Sequence, residues 1–156
     1  MRNKRESGDR PGSMRPIAGL PIVRAQVAGM DIGSEGHWVC APGLEGSGRE
    51  VADFRATTAE LGRMAEWLKE RKVESVAMES TGVYWIAPHE ALEKDFEVWL
   101  VDTRQLARVP ERNKKTDPSD CEWIQRLHSC GLLNGSFRPQ EQVCMLRTLY
   151  ATKRIW

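Results

Sequence analysis

The 156-residue chain carries 23 Lys and Arg against 22 Asp and Glu, a net charge of +1, and is 40% hydrophobic and 29% charged. This suits one folded domain and excludes a wholly disordered polypeptide, and no global basic field marks a nucleic-acid partner. No apolar run approaches the roughly 20 residues of a membrane helix, and Pro21, Arg24 and Gln26 break the stretch behind the basic N-terminus, so no membrane partner is expected and the cytoplasm is the expected location.

Residues 1–21 are rich in Arg, Gly, Ser and Pro and lack a hydrophobic period, so they read as a disordered basic tail. A first strand is expected over 22–32, ending at Gly33. Strands over 36–41 and 49–55 follow, separated by a loop of Pro42, Gly43, Gly46, Ser47 and Gly48. These three form an antiparallel meander. The period then changes. Thr57-x-x-Glu60 is a capping box, and Leu61, Met64, Ala65 and Leu68 recur at helical spacing, which predicts an amphipathic helix over 58–72.

Val73 to Glu79 reads as a short strand and Phe96 to Val101 as another, with a helix near Pro88 between them. A basic stretch then runs to Thr116. Asp117-Pro118-Ser119-Asp120 opens a helix reaching about Cys130, Gly131 and Asn134-Gly135 end it, and a last helix starts near Gln140. Strand–helix–strand alternation requires right-handed crossovers and parallel pairing. The expected fold is therefore α/β and ribonuclease H-like: a mixed five-stranded sheet flanked by helices. One domain is expected over 22–139, with a further helical segment beginning over 140–156.

Cys40, Cys121, Cys130 and Cys144 form no Cys-x-x-Cys pair, and buried free thiols are expected rather than disulfides or zinc ligands. The carboxylates carry more information. Asp31 ends the first strand and Glu79 the fourth. If these strands are parallel neighbours, both acids emerge at the same carboxyl edge, where open α/β sheets keep their sites. Asp117 and Asp120, three apart at a helix start, share a direction. Capping explains those two taken singly, but an acid within Ala28-Gly29-Met30-Asp31-Ile32 is costly without a partner. Four converging carboxylates need a compensating cation, and hard oxygen ligands suit Mg²⁺ or Mn²⁺, a pair of which serves phosphodiester chemistry.

Residues 104–115 hold Arg104, Arg108, Arg112, Lys114 and Lys115 against Glu111, a net +4 that leads into Asp117. Such a run can follow phosphates, although a solvated loop has the same composition.

Three stretches carry a family resemblance: Gly29-Met30-Asp31-Ile32-Gly33, Met78-Glu79-Ser80-Thr81-Gly82-Val83-Tyr84-Trp85 and Lys115-Thr116-Asp117-x-x-Asp120-Cys121. They resemble the DEDD transposases of bacterial insertion sequences, the IS-one-ten group and within it the IS-eleven-eleven branch. The resemblance implies a RuvC-like domain whose acids Asp31, Glu79, Asp117 and Asp120 bind Mg²⁺ or Mn²⁺ and act catalytically. It implies DNA partners (element ends and target), a guide RNA, a homo-oligomer and a location at the bacterial nucleoid. It also implies a second domain with a serine nucleophile, expected beyond residue 156, so this chain is expected to be incomplete for transposition. The alternatives are a RuvC-like structure-specific nuclease and a non-catalytic nucleic-acid-binding fragment. A phosphotransferase suggested by Asp31-Ile32-Gly33-Ser34 fits less well, since it needs a second domain.

Overall fold

A computed structural model of the chain describes residues 20–79, 82–102, 117–133 and 149, with the side chains of 117–119 outside that set. Five strands are present: β1 (Val27–Ile32), β2 (Gly36–Pro42), β3 (Arg49–Arg55), β4 (Ser75–Glu79) and β5 (Glu97–Val101). Three α-helices accompany them: α1 (Thr58–Glu70), α2 (Ile86–Leu92) and α3 (Asp117–Ser129). The sheet order is β3-β2-β1-β4-β5. β1–β2 and β2–β3 pair antiparallel, while β1–β4 and β4–β5 pair parallel. This is the mixed five-stranded α/β sheet that the sequence predicts. The tail up to residue 19, the basic run 104–115 and the segment from Gln140 lie outside the described residues, Leu149 excepted.

The alternation of side chains along each strand builds two layers. Ala28 and Met30 of β1, Val76 and Met78 of β4, and Val98 and Leu100 of β5 face one side. There they form one core with Leu61, Met64 and Leu68 of α1 and Ile86 and Leu92 of α2. Ala77 of β4 and Val101 of β5 face the other side and pack with Trp123, Ile124 and Leu127 of α3. The capping box operates as the sequence predicts, with Thr57 Oγ1 accepting from the Glu60 N–H at 3.2 Å.

Several boundaries differ from the sequence reading by a residue or more, most at the start of β1 and the end of α1. β1 begins at Val27 rather than residue 22, because the N–H groups of Val23 and Arg24 donate to the Ser129 carbonyl at 2.9 and 3.0 Å. The apolar run continues, but its backbone is bonded to the end of α3 instead of a strand. α1 ends at Glu70, where Lys72 takes a positive φ of 54° and the Val73 N–H closes onto Leu68 O at 3.2 Å.

Candidate metal and nucleic-acid site

The carboxyl edge of the parallel strands is set by register. Met30 of β1 pairs with Met78 of β4, so Asp31 and Glu79 follow as neighbours on adjacent parallel strands. Both lie on the α3 side. Asp31 shares its face with Gly29, and Glu79 shares its face with Ala77, which packs under α3.

The direction of α3 follows from its contacts. Its last carbonyl, Ser129 O, meets the backbone ahead of β1. Gln125 Nε2 donates to Val27 O at 3.2 Å, and the backbone of Cys121 and Gln125 lies directly on Gly29. α3 thus runs antiparallel to β1, and its first turn, which carries Asp117 and Asp120, lies toward the Asp31 end. A Cβ at Gly29 would stand 2.5 Å from Cys121 O, so the helix approaches this closely only because position 29 has no side chain. The thiol of Cys121, next to Asp120, is pushed up by burial first and also by the charges of Glu122 and Asp31. Asp31 is therefore within electrostatic reach of the start of α3. The positive end of the helix dipole faces the same edge and favours anionic side chains there.

Residues 82–85, which lead into α2, are held from inside. Gly82 has a positive φ of 65°, and the buried Trp85 indole donates to Gly82 O at 3.0 Å. Tyr84 is left exposed.

The donor chemistry at this edge is that of a hard cation. It consists of carboxylates. The nearby thiols stay protonated at neutral pH, since burial pushes Cys40 up to about 12 and raises Cys121 as well. Among the described residues no three His, Cys, Asp or Glu side chains are grouped closely enough to hold a metal ion. The Asp117 side chain lies outside them, as do Arg104, Arg108, Arg112, Lys114 and Lys115. Cys40, Cys121 and Cys130 are free thiols. His128 shares a 2.8 Å hydrogen bond with Ser75 Oγ inside the α3 interface, which accounts for its burial without a metal.

Three residues of this edge are absent from the sequence reading of the site. Trp38 of β2 pairs with Asp31, Asp53 of β3 pairs with Trp38, and Asp102 directly follows β5. The hairpin register is the signal for the first two. Once β1 ends at Ile32 and β2 starts at Gly36, pairing Ile32 with His37 fixes Trp38 beside Asp31.

An α/β sheet in this order, with acids at the carboxyl edge and a helix closing over it, defines a protein of the ribonuclease H-like class. The transposase family model of the DEDD enzymes of IS110 (IS-one-ten) elements matches residues 28–154. The chain belongs to that transposase family, whose members act on DNA. No curated protein matches it.

Proposed function

We propose that this chain is the metal-dependent catalytic portion of a DNA transposase, with Asp31, Glu79, Asp117 and Asp120 as its acidic set. The observation that carries the reading is the neighbouring placement of Asp31 and Glu79 on parallel strands, on the face where α3 begins with Asp117 and Asp120. These four would hold Mg²⁺ or Mn²⁺, which supplies charge neutralisation at a phosphodiester and activation of the attacking oxygen. The chain's own contribution is orientation. The sheet fixes Asp31 and Glu79 through their strands, and α3, locked to β1 at Gly29, fixes the direction from which Asp117 and Asp120 approach. Gln125 and Ser129 anchor the far end of that helix, so its first turn cannot slide along β1 without breaking their hydrogen bonds.

Arg104, Arg108, Arg112, Lys114 and Lys115 precede Asp117 and would bring phosphates toward the acids. The DNA is an element end or its target, guided by an RNA and acted on by an oligomer at the nucleoid, as in the family's mode of action. A strand-transfer assay with the purified chain, element-end DNA, RNA and Mg²⁺ or Mn²⁺ tests the DNA side. Metal-dependent nicking without joined product, abolished by Asp31→Asn and Glu79→Gln, is the expected result. Equal activity of wild type and both variants would rule the acidic set out.

A further inference from the structure

Past Asp31, at the end of the β1–β2–β3 meander, lies a cleft of about 480 Å³, lined by residues of both sheet faces, with Trp38, Asp53 and Arg55 on the face of Asp31 and His37 and Phe54 on the other. Gly33, Glu35, His37, Trp38, Asp53 and Arg55 contribute to its lining. Trp38 is its most informative member. It is directly opposite Asp31 in the antiparallel pair, so the two side chains share a face with Cβ atoms about 5 Å apart. Trp38 is half-buried, as Trp67 and Trp99 are, whereas Trp85 and Trp123 are buried in the two cores.

The charge of the lining selects what enters. Among the described lining residues Arg55 is the cation, and Glu35 and Asp53 are anions. His37 adds no positive charge at neutral pH, because burial lowers its pKa and its Nδ1 accepts from the Gly33 N–H at 3.3 Å. With one cation against two anions, the lining gives a phosphate no net attraction. It suits a flat, uncharged group whose amino hydrogens carboxylates accept and whose π-face an indole covers.

We propose that this cleft is a nucleobase subsite, in which Trp38 stacks on an unpaired base of the strand whose phosphate lies at Asp31 and Glu79. The inference rests on the DNA-processing reading of the acidic edge and adds to it a stacking contact one residue away across the sheet. Stacking tolerates sequence but requires a base, so its contribution is separable from phosphate attraction.

The test measures binding of the full chain to a fluorescein-labelled single DNA strand and to the same strand lacking its bases. Fluorescence anisotropy is the readout, with and without Mg²⁺. Wild type is expected to prefer the base-bearing strand by about fivefold to a hundredfold. Trp38→Leu removes the aromatic face while keeping apolar bulk, and it should abolish that preference. Its slope of log affinity against log salt should match wild type, because stacking releases no counterions. Trp38→Phe should keep most of the preference, which a purely structural role for the indole does not require. Wild type binding both strands equally would overturn the subsite. So would a preference retained in Trp38→Leu. If wild type bound neither strand, the DNA-processing reading itself would fall, and the subsite with it.

Discussion

Gly29 and His128 show how single residues fix the position of α3. Gly29→Ala would force a Cβ into the helix backbone at Cys121 and Gln125, which cannot swing aside as a side chain can. Overpacking of this kind costs about 1–3 kcal/mol or more, so the variant should unfold at distinctly lower urea, with a loss of metal affinity in whatever remains folded. His128 is held neutral, its pKa lowered to about 4 by burial and secondarily by the Arg24 guanidinium. Arg24 stacks over Trp99, 4.5 Å from its ring centroid, and Trp99 in turn packs on the His128 ring at 4.8 Å. The unfolded chain takes up a proton near pH 6.5 that the folded chain refuses until about pH 4. Stability is therefore full above pH 6.5 and declines as pH falls from there to about 4, by up to roughly 3 kcal/mol. Urea midpoints across that range should show the decline, and His128→Gln should flatten most of it. The lowered pKa of His37 leaves a smaller residue of the same sign. None of this is legible in the residues taken alone. A glycine inside a strand signals close approach in general, but only the packed helix says what approaches.

At the scale of elements, the hydrophobic periods made the structure readable. Leu61, Met64, Ala65 and Leu68 are the buried face of α1, and Val98 and Leu100 face the core from β5 as alternation requires. The reading ran too long at both approaches to the sheet. Residues 22–26 and 73–74 are strand-like in composition, but tertiary hydrogen bonds to Ser129, Leu68 and Gln26 take their backbones elsewhere. The tie between α1 and β3 was likewise hidden. The Arg71 guanidinium donates to the Glu50 carboxylate and, at 3.0 Å, to Trp67 O, and it lies 3.9 Å from the Trp67 ring centroid. Arg71 is nearly buried while the Glu50 side chain is 37% exposed, so the pair is only partly shielded from solvent. Arg71→Ala should cost about 2 kcal/mol in urea unfolding, the scale of a lost hydrogen bond to a charged group. Arg71→Lys should recover little, because an ammonium cannot both stack and donate in a fork.

Over the whole molecule, strand order carries the functional argument. The change from an antiparallel meander to parallel crossovers puts β1 beside β4, and this topology makes neighbours of Asp31 and Glu79, 48 positions apart in the sequence. The class of fold and the family were legible because strand–helix alternation and short acidic motifs survive in the linear sequence. The cleft beside Trp38 was not, because it depends on a cross-strand register that no local pattern encodes. In the proposed acidic set, like charges at one edge would repel one another and be relieved by a bound cation. Asp31→Asn should accordingly remove the stabilisation that metal provides. The most direct measurement is calorimetric titration of Mn²⁺ into the purified full chain, wild type against Asp31→Asn, Glu79→Gln and Asp120→Asn, with the melting temperature followed in parallel. Saturable binding with a rise in melting temperature for wild type, both lost in each folded variant, is the result that a shared acidic centre predicts. Undiminished binding in the variants, or none in wild type, would contradict it.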